Sequence, residues 1–269
     1  MAIYFDETIQ SYLDWLKNVK RAPYHTYRAY NIDLLQFLRY FLRNEKNELP
    51  SKDEISEYVA EIKKKYNYAT YRRKITAIRN FITFLIDSGI NMPDPLISIS
   101  LPVPDIDYNL SVTYEDVLEF ISKLPEDSKN EIRDKLLFCL TAKSGLTIKQ
   151  LRSLKLKDIN LASNQIIISK NQMTFIDSQT NALIEKYLSI LKDLFQLGLE
   201  DFLLANEERI PFSERTINLI IDKTSQRYNF KIRLSPTVLR RLFAKSLTEK
   251  NINKETKEMI LGKKSRLAV

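Results

Sequence analysis

Apolar residues recur every three to four positions over most of the chain, and the places where that rhythm breaks divide it into helices, one short pair of strands and a linker. Phe5, Ile9, Tyr12, Leu13 and Leu16 share one face of a predicted helix over about 5–20. Tyr27, Tyr30, Leu34, Leu38 and Phe41 do the same over about 24–43. A third helix follows Pro50, where Ser51 as N-cap and Glu54 three residues on form a capping box. The fourth, Ala69 to Ser88, turns Tyr71, Ile75, Ile78, Ile82 and Leu85 inward and ends at Gly89. Its other side carries Arg72, Arg73, Lys74 and Arg79, a basic face expected to meet solvent.

Four of the nine prolines, Pro93, Pro95, Pro102 and Pro104, then fall within NMPDPLISISLPVP. This stretch reads as the linker, which gives a helical domain over 1–92, a linker over 93–110 and a second domain over 111–269. In the second domain Thr113 with Asp116 starts a helix to about Lys123, another spans 128–144 up to Gly145, and a short one covers Ile148–Leu154. The β-branched run from Gln165 to Lys170 predicts a strand, paired through Asn171-Gln172 with Met173–Asp177 in a tight hairpin. Helices resume at about 178–197, 213–227, 236–250 and 254–261. The predicted class is mainly α, with a four-helix first domain and a mostly helical second domain holding one small hairpin.

Composition narrows the chemistry. One cysteine, Cys139, and one histidine, His25, exclude a disulfide framework and a histidine-based triad, and argue against a Cys/His metal site. The four glycines, Gly89, Gly145, Gly198 and Gly262, each follow an apolar-periodic run where a helix would need a left-handed end. That leaves none for a phosphate loop or dinucleotide fingerprint, so no cofactor is expected. No run approaches the roughly 18 apolar residues of a membrane span. The opening MAIYFDETIQSY lacks the basic-then-apolar order of a signal peptide, so a cytoplasmic protein without a membrane partner is expected. From Tyr228 to Val269 there are eleven lysines and arginines against three acids, a surplus equal to the whole formal net charge of +8. Such a block on an otherwise balanced chain is the footprint of a surface that meets a polyanion, although a solvated basic tail has the same composition.

Two segments of the second domain carry a resemblance. Lys143-Ser-Gly-Leu-Thr-Ile-Lys-Gln-Leu-Arg-Ser-Leu-Lys-Leu-Lys-Asp-Ile-Asn160 resembles the T-G-L-R-I-S-E-L box of the tyrosine recombinase (phage integrase) family, Xer-like members especially. Leu234-Ser-Pro-Thr-Val-Leu-Arg-Arg-Leu-Phe-Ala244, followed by Met259-Ile-Leu-Gly-Lys263, resembles its L-T-P-H-x-L-R-H-x-F-A and L-L-G-H boxes. In the first domain, Thr26 to Phe37 is similar to the T-Y-R-x-Y-x-x-D-L-x-x-F of the family's core-binding domain, so the resemblance covers nearly the whole chain.

The resemblance implies a chemistry in which a tyrosine attacks a DNA phosphodiester. Two arginines and a His or Trp hold the charge that builds on the phosphoryl oxygens, and a hairpin lysine protonates the leaving oxygen. Carried over position by position, the first arginine falls on Thr147 and its supporting acid on Gln150, neither able to make a charged bidentate phosphate contact. The hairpin lysine is retained as Lys170 and the second arginine as Arg240. The histidine of the second box falls on Thr237, the one after the arginine on Arg241, and the one after Leu-Gly on Lys263. The nucleophile belongs several residues beyond Lys263, where the sequence ends at Val269. Each lost donor to a reacting oxyanion costs on the order of 100 to 1,000-fold in rate. The expected function is therefore a catalytically inactive relative that clamps duplex DNA between two domains in an architectural or regulatory role. Its expected partners are double-stranded DNA and an active recombinase or other DNA-processing protein.

The DNA-facing residues implied are Arg72, Arg73, Lys74 and Arg79 in the first domain and Lys170, Arg240, Arg241, Lys245 and Lys263 in the second. A subunit borrowing a partner's tyrosine, and a protein-interaction module whose DNA surface has decayed, are the rival readings. Lys63, Lys64 and Lys65 fit a solvated last turn, Cys139 fits a core filler, and Tyr27, Tyr30 and Tyr71 have core spacing. Tyr228, before Phe230 and a turn, fits packing better than nucleophilic work. His25 is as consistent with solvent as with a phosphate.

Overall fold

In the computed structural model the described residues are 4–42, 48–90, 94, 96–97 and 111–262. The chain divides into two compact units, Met1–Tyr108 and Asn109–Val269. In the first, α1 (Phe5–Asp14) runs into one π-helical turn (Trp15–Val19), followed by α2 (Tyr24–Leu42), α3 (Lys52–Lys65) and α4 (Tyr68–Asp87). The expected single helix over 5–20 is thus broken in register. Leu16 stays buried, while Trp15 stacks on Tyr12 at 5.9 Å and tilts against Phe84 at 5.3 Å. Apolar spacing alone cannot register a wide turn that keeps the same face inward.

Aromatic rings fill this unit's centre: Phe5 meets Phe37 edge-on at 5.4 Å and Phe41 at 5.9 Å, and Tyr58 closes on Phe37 at 5.0 Å. Leu34, Leu38, Phe41 and Tyr71 are buried as the spacing predicts, but Tyr27 and Tyr30 are only half-buried at the margin of the core. The capping box forms, with Ser51 N donating to Glu54 Oε2 at 2.9 Å and Glu54 N to Ser51 Oγ at 3.4 Å. His25 and Lys63 to Lys65 are exposed.

In the second unit α5 (Tyr114–Lys123), α6 (Lys129–Ala142) and α7 (Ile148–Ser153) lead through a 3₁₀ turn (Leu156–Asp158) to β1 (Ile159–Asn160), β2 (Gln165–Ser169) and β3 (Gln172–Phe175). Then come α8 (Ser178–Leu194), α9 (Glu214–Arg227), α10 (Pro236–Glu249) and α11 (Lys254–Leu261). The expected hairpin is one edge of a three-stranded antiparallel sheet in the order β1-β2-β3, with Ile166 opposite both Ile159 and Thr174. α6 is the axis of the core. It is buried at every position from Leu136 to Ala142, Cys139 included, and packs against α5, α8, α9 and α10.

Gly89, Gly145 and Gly262 take positive φ as expected, but Gly198 does not. Its N–H instead donates to Asp201 Oδ2 at 2.7 Å in a loop turn, so the space after α8 is closed by a side chain rather than by a left-handed residue. Tyr228 caps the C-terminal end of α9, half-buried against the core, in keeping with its packing role.

Candidate functional site

The residues of the two boxes meet around the turn that ends α6. Gly145 has φ +67, and a Cβ there would come within 2.5 Å of Phe243 Cε1, so both backbone conformation and close approach of α10 require glycine. Leu146 N donates to Leu140 O at 3.0 Å to close the turn. Thr147 is then the N-cap of α7. Its Oγ1 accepts from Gln150 N at 3.2 Å, and Gln150 Oε1 accepts from Thr147 N at 2.8 Å and from Thr147 Oγ1 at 2.9 Å. The position where the resemblance implies a phosphate-holding arginine is therefore occupied by a capping box, and both polar side chains are engaged within their own helix.

Arg240 reaches this turn from α10, which starts with Ser235 as N-cap and Pro236 in its first turn. Its Nη1 donates to Gly145 O at 2.6 Å and, more distantly, to Gln150 Oε1 at 3.5 Å, while Nη2 donates to Leu261 O at 2.6 Å. The residue is only 7% exposed. No carboxylate pairs with it among the described residues, and burial lowers its pKa. A buried guanidinium held by carbonyls alone is a cation without a counter-charge.

The hairpin joins the same neighbourhood by two bonds. Thr174 Oγ1 donates to Ser144 O at 2.7 Å, and Gln172 Nε2 donates to Ile260 O at 3.1 Å in the last turn of α11. Lys170 sits exposed in the hairpin turn. Thr237 is exposed in the first turn of α10, three residues before Arg240, and Arg241 is exposed after it. Lys245 is half-buried and pairs with Glu249 at 3.6 Å across one helical turn. Lys263 lies outside the described residues. The structure thus unites Thr147, Gln150 and Arg240 in one bonded group, with Lys170, Thr237 and Arg241 presented around it. Gln172 and Thr174, which tie the hairpin down, leave no mark in the sequence, because single polar residues in a strand carry no periodic signal. A cavity of about 830 Å³ lies elsewhere in this unit, between α5, α6, α8 and α10 around Cys139 and Lys143.

The basic face expected on α4 needs correction. Lys74 is 2% exposed and does not face solvent. Its Nζ donates to Asp33 Oδ1 at 3.0 Å and to Gln36, and lies 4.7 Å from the centre of the Tyr66 ring. Asp33, itself 1% exposed, is also ion-paired with Arg73, which donates to Ala29 O at 3.2 Å as well. Position 74 follows Tyr71 by three residues and precedes Ile78 by four, so helical geometry puts it on the inward stripe whatever its charge. Arg72 and Arg79 are half-buried, and Arg79 Nη2 reaches Leu96 O at 3.4 Å. Arg240, another expected DNA-facing residue, is likewise buried rather than displayed. Among the described residues no cluster of His, Cys, Asp and Glu could hold a metal, and no helix is long and apolar enough to cross a membrane.

Residues 111–267 match the phage integrase family, and residues 9–89 match the phage integrase N-terminal SAM-like domain. A tyrosine recombinase of Pseudothermotoga lettingae is 28% identical over 271 residues, covering 96% of this chain and 90% of its own. Tyrosine recombinase XerC of Staphylococcus epidermidis is 27% identical over 265 residues, covering 96% and 88%. In fold the chain is similar to the Tn1549 transposon integrase solved in complex with transposon right end DNA, with TM-score 0.73, 15% identity and coverage of 98% and 92%. It is similar also to XerH site-specific recombinase bound to difH substrate, with TM-score 0.71, 20% identity and coverage of 96% and 80%.

Proposed function

The chain belongs to the phage integrase family, and from that premise we propose that it binds duplex DNA without cutting it, in an architectural or regulatory role. The observation that carries the reading is the bonded group around Gly145. A cation is kept there in the form of Arg240, while the neighbouring place for a second cation has become the Thr147–Gln150 cap. Arg240 itself is taken up by the carbonyls of Gly145 and Leu261, so contact with a DNA phosphate falls to the exposed cations presented around this group, Lys170 and Arg241. Strand cleavage asks for more: charge on several phosphoryl oxygens has to be stabilised at once. Neutral Thr147 and Thr237 supply neither an arginine's fork nor a histidine's proton, at a cost on the order of 100 to 1,000-fold for each donor. Both units are proposed to engage one duplex as a clamp, Arg72, Arg73 and Arg79 from the first and Lys170 and Arg241 from the second. An active recombinase or other DNA-processing protein acting on the same cytoplasmic DNA is the proposed partner.

The test pairs binding with trapping. Labelled duplex DNA titrated with the purified protein at low salt is expected to bind, and a nicked substrate that traps a phosphotyrosine link is expected to give no covalent adduct. An adduct mapped to any residue, Tyr228 included, overturns the inactive reading. Absence of binding at low salt overturns the DNA reading and leaves the interaction-module rival.

A further inference from the structure

The buried ion group between α2 and α4 has a lopsided composition. Among the described residues Asp33 is the only acid bonded within it, yet it faces two cations, Lys74 and Arg73. The Asp33 and Lys74 side chains are 1% and 3% exposed, whereas that of Arg73 is 39% exposed. The carboxylate's charge is matched by the lysine, so one positive charge is left over and its only outlet to solvent is the arginine. The bonds of Arg73 are one-sided as well. Nη1 alone contacts Asp33 and Ala29 O, which fixes the plane of the guanidinium from one edge and leaves Nε and Nη2 without a partner among the described residues. A guanidinium held by one edge, with its other donors toward water, is pre-organised for a phosphate oxygen, because little side-chain freedom remains to be lost on contact.

We propose that Asp33 and Lys74 are positioning residues that hold Arg73 ready for the DNA backbone, with Lys74 as the counterweight that keeps Asp33 from neutralising it. The inference rests on the duplex-binding reading above. It differs from a merely structural role in one respect: removing an acid from a DNA-binding protein raises its net charge and should tighten binding, whereas removing this acid releases Arg73 and weakens it.

Five proteins are compared for duplex binding over a salt series: the unaltered chain, Arg73→Ala, Asp33→Asn, the double variant Asp33→Asn with Lys74→Met, and the triple variant that adds Arg73→Ala to the double. The double variant keeps the net charge and replaces both buried ions with neutral groups of similar shape, a change far gentler to the fold than removing one partner. Circular dichroism on each protein verifies the fold. Arg73→Ala is expected to bind about tenfold more weakly, with a salt slope smaller by about one unit. The double variant is expected to lose a comparable factor and the triple variant little more, since the same contact is lost in both. Asp33→Asn alone is expected to bind more weakly despite its added charge. If the unaltered protein binds duplex but the double variant binds equally well, or Asp33→Asn binds more tightly, the positioning role is overturned and the DNA reading stands. If the unaltered protein does not bind duplex at all, both fall together.

Discussion

At the scale of single residues, Arg240 and Thr147 change meaning once their bonds are known. Arg240 is the sole described donor to Gly145 O and Leu261 O from another helix, so it ties the ends of α6 and α11 together. Replacement by methionine keeps bulk but leaves two carbonyls unsatisfied, and unpaired buried polar groups cost about 1–3 kcal/mol each. Arg240→Met is therefore expected to lower stability by about 3 kcal/mol, and Thr147→Ala, which removes an N-cap, by about 1 kcal/mol. Urea unfolding checks both: the midpoint should fall with the slope unchanged. Midpoints within error of the unaltered protein would mean that neither group supports the fold. A loss of DNA binding by an Arg240 variant cannot be read as a lost phosphate contact without this control, and exposed Lys170 and Arg241 are cleaner probes. Thr147-x-x-Gln150 has the same cap spacing as Ser51-x-x-Glu54 and Thr113-x-x-Asp116, both of which were legible in the sequence. Its spacing alone marks a cap, and only the resemblance to a box with arginine at this position points to another role. Lys74 is the opposite case: its charge suggests solvent, but its helical spacing places it inward.

At the scale of elements, helix type and extent were legible wherever an apolar stripe ended in a cap. α8 illustrates this. Asp177 is its N-cap, accepting from Thr180 N at 2.7 Å, and it also pairs with Lys143 at 2.8 Å at the end of α6. Burial raises the pKa of Asp177, but the Lys143 ammonium and the bonds from Thr180 outweigh it and the net shift is downward. A carboxyl lowered by folding contributes stability that is present above its unfolded value, about 3.9, and is lost as pH falls through the folded one. Asp177→Asn can keep the cap yet loses the ion pair. Its melting temperature is expected below that of the unaltered protein at pH 6–7, and the two curves should converge as the pH falls below the ordinary carboxylate range. A gap that stays constant with pH would assign the whole effect to the cap. The β-structure was less legible. β1 is only Ile159 and Asn160, too short for alternation to register, and it exists because Ile166 of β2 offers a paired edge. The π-turn of Trp15–Val19 is invisible for a related reason: no local residue preference marks it, and its first residue packs on Phe84 far along the chain.

At the scale of the whole molecule, the surplus of eight charges after Tyr228 overstates the charge available to a polyanion. Arg233 is bound bidentately to Asp222 at 2.7 and 2.8 Å and Lys231 reaches Asp116 at 3.3 Å, both acids lying outside that stretch, and Arg240 and Lys257 are buried. Composition counted these residues equally with exposed Arg241, Lys250 and Lys254, which is why charge alone could indicate a class of partner but not the surface that meets it. The proposed duplex contacts are correspondingly few and divided between the units: Arg72, Arg73 and Arg79 in one, Lys170 and Arg241 in the other. Each neutralised phosphate contributes about 0.9 to the slope of log affinity against log salt, so five contacts give a slope of about −4 to −5. Arg72→Ala and Lys170→Ala, one from each unit, should each reduce its magnitude by about 0.9 and weaken binding to unrelated duplexes alike, since backbone contacts carry no base information. Combined, they should subtract about twice that, because two contacts in separate compact units share no partner. A double variant whose slope matches that of Lys170→Ala alone would mean that Arg72 does not touch the duplex, leaving Arg73 and Arg79 to carry the first unit's share of the clamp.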